Sequence, residues 1–193
     1  MSEKIRCPWH NNIPIYMDYH DNEWGRPTYS DQRLFEMLIL EGMQAGLSWI
    51  TILNKRESFK AAFDNFDPHK ITLYDEVKIQ ELMANEKIIR NRLKIEATIQ
   101  NAKTFLSITE KHGSFSDLLW AYVDHTPIVG HRKTIEDIPA TTPESDKLSK
   151  DLKKMGFKFV GSTTVYAFMQ ATGMVNDHLV DCFAYKEILH RQS

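Results

Sequence analysis

Two cysteines, Cys7 and Cys182, stand near opposite ends of a 193-residue chain, and each has histidines close by. His178 and Cys182 are spaced i, i+4, so on a helix both side chains would leave one face. Cys7 opens an aromatic-rich segment that also carries His10 and His20. One cysteine and one histidine from each end make a Cys₂His₂ set, a common tetrahedral zinc environment. By spacing alone, His10 and His20 compete for one place in it. The plainer alternative is two unrelated buried thiols. A disulfide does not suit a reducing compartment. If both ends feed one metal, the chain closes on itself, and the expected organisation is a single unit, 1–193, open to division into two lobes. The first would be a helical core over about 30–142, and the second would join 1–29 to 143–193.

Charge removes several classes of function. The 24 basic and 26 acidic side chains leave a net charge of −2, which excludes a strongly basic coat for nucleic acid but not an enzyme with local basic patches. Uncharged apolar stretches fall short of the ~20 residues that cross a bilayer, so no membrane partner is expected. The N-terminal segment lacks the apolar core of a secretory signal, and a cytoplasmic location is expected.

The periodicity predicts an all-α fold. Leu34, Phe35, Met37, Leu38 and Leu40 trace a helical pattern over 31–41, with Ser30 and Asp31 as capping candidates. Further helices are expected over 48–63, 76–83, 92–111, 115–123, 143–154 and 162–172. Asp67-Pro68 and His112-Gly113 mark breaks, and 126–142, with Pro127, Gly130 and Pro139, reads as loop.

Glu41 is the residue most at odds with its place. At ~100° per residue it falls within about 60° of Leu34, Met37 and Leu38, in the middle of the apolar stripe, whereas Glu36 faces away. A buried carboxylate is costly unless paired, hydrogen-bonded or protonated. A salt bridge, or a helix end tilted into water at Gly42, would explain it without function. The surroundings favour a site: Gly42 and Gly46 bracket a turn, Leu47 sits at its tip, and Trp49 offers a stacking face. Trp9, Tyr16, Tyr19 and Trp24 add aromatics. A carboxylate among aromatic rings suits a planar, cationic or donor-rich heterocycle.

Basic residues gather at Lys87, Arg90, Arg92 and Lys94, around a turn between two expected helices, and at Lys147, Lys150, Lys153, Lys154 and Lys158 near Gly156. Such runs are usually solvated faces. The first, with Ile88-Ile89 tucked in and Arg90 beside a helix start, has the form of a helix–hairpin–helix turn able to hold a DNA phosphate.

Four stretches resemble the 3-methyladenine DNA glycosylase I family, alkylation-repair members of the helix–hairpin–helix glycosylases. They are Tyr19-His20-Asp21-Asn22-Glu23-Trp24-Gly25, Leu40-Glu41-Gly42-Met43-Gln44-Ala45-Gly46-Leu47-Ser48-Trp49, Gly156-Phe157-Lys158-Phe159-Val160-Gly161 and Val175-Asn176-Asp177-His178. The resemblance spans about Cys7 to Cys182. It implies Cys7, His20, His178 and Cys182 as ligands of a structural zinc ion, taking His20 over His10. It assigns Glu41 and Tyr16 as the catalytic pair, Glu41 hydrogen-bonding the excised base and Tyr16 contacting or stacking on it, and Trp49, Trp9 and Tyr19 to the base pocket. Gly46 and Leu47 fall where the family fills the gap left by a flipped nucleotide, and Arg90, Arg92 and Lys94 lie at the DNA-gripping hairpin. Lys87 and Leu93 stand where that hairpin has glycines, leaving Asn85 or Asn91 to take a left-handed conformation.

The implied activity is extrusion and hydrolytic excision of N3-methyladenine from alkylated double-stranded DNA by a monomer. The products are free 3-methyladenine and an abasic site, without strand cleavage since no lysine nucleophile is assigned. The subfamily lacks the catalytic aspartate of other helix–hairpin–helix glycosylases, and no candidate follows the hairpin here. A cationic base leaves with little acid assistance. Two other readings compete. A metal-dependent hydrolase or deaminase would need an open coordination position, which four protein ligands fill. A non-catalytic sensor of alkylated or distorted DNA would keep the basic turn but would not need Glu41, Tyr16 and Trp49 together.

Overall fold

The computed structural model describes residues 4–190 and confirms a mostly helical chain. Its helices are α1 (Pro14–Asn22), α2 (Asp31–Gln44), α3 (Trp49–Ala62), α4 (Pro68–Ile71), α5 (Glu76–Ala84), α6 (Arg92–His112), α7 (Phe115–Trp120), α8 (Pro143–Met155), α9 (Ser162–Ala171) and α10 (Phe183–His190). Side chains place several starts where the sequence puts capping residues: Ser30, Asn91 and Ser114 accept backbone amides of α2, α6 and α7, and Thr142 exchanges bonds with Ser145 at α8. Asp31 extends that logic, because its carboxylate accepts the amides of Phe115 and Ser116 and so joins the start of α2 to the start of α7.

Helix α2 is the axis of the molecule. Every residue from Leu34 to Met43 is buried, and α3, α6, α7 and α9 pack around it. Phe35 meets Phe105 of α6 at 4.9 Å between ring centres, and the aromatic line continues through Phe115 to Phe157. A smaller apolar cluster gathers Cys7, Cys182, Ala184 and Tyr185 where the two ends of the chain meet.

The structure corrects five local expectations. Residues 14–22 and 183–190 are helical although neither was read as helix. Two short strands, β1 (Ile128–Val129) and β2 (Val175–Asn176), pair in parallel and pin the 126–142 segment to the segment leading to His178. His178 and Cys182 do not share a helix: a turn closed by the Cys182 amide on the Leu179 carbonyl brings them together instead. Neither Asn85 nor Asn91 is left-handed; each side chain accepts an amide, from Lys87 and Lys94 respectively. Glu36 does lie opposite Glu41, but that face is covered too, and the carboxylate is paired with Arg33 and Arg56. An amphipathic pattern cannot reveal this, since a helix packed on all sides buries its charged face as soon as partners neutralise it.

Candidate active site

The end of α2 and the N-terminal segment enclose a cavity of about 330 Å³. Its walls bring together Trp9, Tyr16 and Tyr19, Trp24, Glu41 and Trp49, which lie far apart in sequence. Trp9 stands 4.9 Å from Tyr16 and 5.0 Å from Trp24, and Tyr19 stands 5.5 Å from Trp49, measured between ring centres. Gln44, Gln170, Ala167 and the loop residues Ile135 and Ile138 complete the lining. These five were not read from the sequence. Gln44 had a signal, because it sits one turn beyond Glu41 on the same helix. Gln170 belongs to a helix read only for its apolar face, and the loop isoleucines carry no motif.

Glu41 is 4% exposed, α2 continues past it to Gln44, and no side chain among the described residues forms a salt bridge or hydrogen bond with it. Neither non-functional explanation therefore applies. Its Oε2 and the indole Nε1 of Trp49 are buried polar atoms without partners. Burial alone raises the Glu41 pKa to about 8, and burial together with Glu41 raises that of Tyr16. An acceptor without a donor and a donor without an acceptor, set in an aromatic cavity, are free to take up a ligand.

That arrangement costs stability in a pH-dependent way. The folded carboxyl titrates near 8, whereas an unfolded glutamate titrates near the ordinary 4.5, so the folded state holds the extra proton between those values. The contribution to stability is whole below pH 4.5 and is lost as pH rises to about 8. Thermal or urea unfolding of Glu41→Gln should match wild type near pH 4. It should then gain over wild type by roughly 1.4 kcal/mol for each pH unit, levelling above pH 8. A stability difference independent of pH would contradict the burial of an ionisable Glu41.

The second cluster lies against the cavity wall. Cys7, His20, His178 and Cys182 are buried, with potential ligand atoms within 4.8 Å of one another, close enough to hold a metal ion. Cys7 Sγ lies 3.5 Å from His178 Nδ1, and Cys182 Sγ lies 3.5 Å from His20 Nε2 and 3.6 Å from His178 Nδ1. The outer ring nitrogens are held as well: His20 Nδ1 meets Asp21 at 2.8 Å and His178 Nε2 meets the Trp24 carbonyl at 2.9 Å. His10 lies nearby, but its Nδ1 accepts the Asn12 amide and it is not in the cluster. The neighbouring Cys7 thiol, then His178 and His20, push the Cys182 pKa down, which favours a thiolate at that sulfur. Gly25 explains part of the close packing, because a Cβ there would lie 2.9 Å from the His178 ring, and its φ of +73° suits glycine.

At the other edge of the cavity, Gly46 has φ +80° and turns the chain so that Leu47 stands 41% exposed at the tip. Arg90 and Arg92 are surface residues, the first 3.6 Å from Glu86 and the second paired with Glu76 and Glu96. Lys94 departs from its expected position at the DNA-gripping surface. It is 7% exposed, and its Nζ donates at 2.7 Å to the carbonyls of both Met43 and Ala45, where α2 ends. The positive charge answers orphan carbonyls at a helix C-terminus, so the residue holds the base of the Gly46–Leu47 turn from inside. Lys94→Met should destabilise the fold by about 1–3 kcal/mol, since the buried Met43 carbonyl and the partly buried Ala45 one lose a charged donor. A urea midpoint equal to wild type would show that these bonds carry no weight.

The chain is similar to known proteins over most of its length. Residues 9–185 match the family model described as methyladenine glycosylase. A DNA-3-methyladenine glycosylase of Haemophilus influenzae is 51% identical over 177 residues, covering 92% of this chain and 96% of that one. DNA-3-methyladenine glycosylase 1 of Escherichia coli is 50% identical, over 93% of this chain and 96% of its own. Among solved structures, a variant of 3-methyladenine DNA glycosylase I in complex with 3-methyladenine superposes with a TM-score of 0.91 at 39% identity. It covers 93% of this chain and 97% of that chain.

Proposed function

Because the chain belongs to the methyladenine glycosylase family, we propose that it is a DNA N-glycosylase that excises 3-methyladenine from alkylated DNA in base excision repair. The observation that carries the reading is the unpartnered Glu41 carboxylate facing a ring-lined cavity of about 330 Å³. The cavity is of a size to take one base stacked among aromatic side chains, which requires the damaged nucleotide to leave the helix stack.

Methylation at N3 places a positive charge on the nucleobase while it is still bound to the sugar. Glu41 accepts hydrogen bonds from that base and attracts its charge in a water-poor site, where both interactions are strong. Tyr16 lies beside the carboxylate, and Trp49, Trp9 and Tyr19 supply stacking faces. The alkylated base is itself the better leaving group, so water attacks the sugar with little acid assistance, and the DNA phosphates offset the charge that develops there. Among the described residues no lysine lines the cavity. That supports a monofunctional enzyme, which leaves an abasic site and an uncut strand.

On this reading Leu47 fills the space vacated by the nucleotide and Gly46 allows the backbone close to it. The turn between α5 and α6 serves as the DNA-holding hairpin. Lys55 pins it by donating to the Glu86 and Lys87 carbonyls. The amides of Ile89 and Arg90 have no acceptor among the described residues, which leaves them available to a phosphate. Arg90 and Arg92 exchange exposed carboxylate partners for phosphate at small cost. Lys94 contributes by setting the turn rather than by touching DNA.

The four buried donors fit zinc. A tetrahedron with Zn–S of about 2.3 Å and Zn–N of about 2.0–2.1 Å has S···N edges of about 3.5–3.6 Å. Those match the Cys7–His178, Cys182–His20 and Cys182–His178 separations of 3.5, 3.5 and 3.6 Å. With four protein ligands, an ion held here would supply cross-linking and no reactive water. It would tie the N-terminal segment that carries Cys7 and His20 to the C-terminal one that carries His178 and Cys182, within one unit.

The test is single-turnover incubation of the purified protein with methylated duplex DNA. Free 3-methyladenine and alkali-labile but unbroken strands are expected. DNA binding with no base release would instead identify a sensor of damaged DNA.

A further inference from the structure

Asp177 is wholly buried, and donors surround it. Arg132 Nε donates to Oδ1 at 2.9 Å, while the Tyr166 hydroxyl and Gln170 Nε2, the latter at 2.8 Å, donate to Oδ2. A carboxylate paired with a guanidinium is an acceptor only, so the glutamine must turn its NH₂ group toward Asp177. Gln170, on α9, is also part of the wall of the cavity that Glu41 lines from α2. The amide left to the cavity is therefore fixed in sense: its carbonyl oxygen is the atom free to meet a ligand.

We propose that Gln170, oriented by Asp177, is a specificity-determining residue that reads the exocyclic amine of the alkylated purine and rejects guanine. This rests on the glycosylase reading above. Adenine carries an amine at C6, and guanine carries a carbonyl there. Glu41 and Gln170 present two acceptors to one small cavity, which suits an edge rich in N–H groups. A guanine carbonyl against the fixed Gln170 oxygen would bury two acceptors with no proton between them. Sites built to hydrogen-bond one group discriminate strongly against analogues that leave a buried partner unmatched. Asp177 is a positioning residue in this scheme, since it bonds Gln170, Arg132 and Tyr166 and acts on the base only through the glutamine.

Gln170→Met keeps the length of the side chain and removes the carbonyl. Asp177→Asn can donate its own amide to the Gln170 oxygen and so release the NH₂ group toward the cavity. Each variant would be compared with wild type for single-turnover release of 3-methyladenine and 3-methylguanine from the same methylated duplex. Affinities for the two free bases would be read from tryptophan fluorescence. The expected result for both variants is a fall of about tenfold in the adenine-to-guanine ratio, in release and in affinity, with most of the loss on the adenine side for Gln170→Met. Ratios within twofold of wild type for Gln170→Met would overturn the proposal, as would equal losses on both bases. If wild type releases and binds neither base, the glycosylase reading fails instead. Melting temperature and metal content of each variant separate a damaged fold, which lowers both substrates alike, from altered selection, which moves the ratio.

Discussion

Glu41→Gln should lower excision of 3-methyladenine by about 10–100-fold under sub-saturating, single-turnover conditions. It should also weaken binding of free 3-methyladenine, while the protein stays folded. The size follows from exchanging a charge-assisted hydrogen bond for a neutral one in a dry site, a difference of ~1.5–3 kcal/mol. Glutamine keeps the shape and one acceptor, so the loss reports charge rather than packing. The pH profile adds a second signature. With burial holding the free carboxyl near pKa 8, capture of a cationic base displaces a proton below that pH. Wild-type activity toward the charged lesion should therefore climb between pH 6 and 8, and Glu41→Gln should lack that climb. Full activity together with unchanged base affinity in the variant would remove Glu41 from the mechanism.

The second large effect concerns the Cys₂His₂ cluster. With the cluster proposed as a zinc site, Cys182→Ala, or exhaustive treatment with a strong chelator, should abolish stoichiometric zinc. The loss of a structural ion that closes both chain ends should cost at least ~4 kcal/mol, which for a chain of this length lowers Tm by roughly 10 °C or more. Base affinity should fall in parallel, because the cluster and the cavity share a wall: Trp9 lies 5.2 Å from the His20 ring and Trp24 lies 4.7 Å from the His178 ring. Zinc added back to chelated wild type should restore both properties together. A Cys182→Ala protein with wild-type Tm and wild-type base affinity would show that the cluster is four packed side chains and nothing more. Chelated protein that stays fully folded but loses turnover until metal returns would point to a reactive metal.

Much of this molecule is legible before any coordinates. The helices read at 31–41, 92–111 and 143–154 announce themselves through apolar spacing, capping residues and, for the last two, a glycine just past the end, all of which act over a few residues; α2 runs on through Gly42 to Gln44. Glu41 stands out for the same reason, as a charge where the local period calls for an apolar side chain. The Cys and His residues at the two ends name a candidate ligand set by chemical type. Position was harder to read than type. Helix α1, with Tyr16 and Tyr19, has little apolar periodicity of its own and is ordered by packing against α3 and by the His20 end of the cluster. Lys94 looks like a surface charge in sequence, and only the end of α2 lying 2.7 Å away turns it into a buried cap.

The amino-acid order alone determined the helical class, the main helix boundaries and the chemical identity of the groups available, because these depend on neighbours within one or two turns. Only the tertiary structure decided that Trp9, Glu41, Trp49 and Gln170 line a common hollow, that Glu41 has no counter-ion among the described residues, and that Gln170 is turned by Asp177. Contacts between residues tens or more than a hundred positions apart leave no local period in a sequence. They arise when α2 is enclosed on every side and the chain ends close over it.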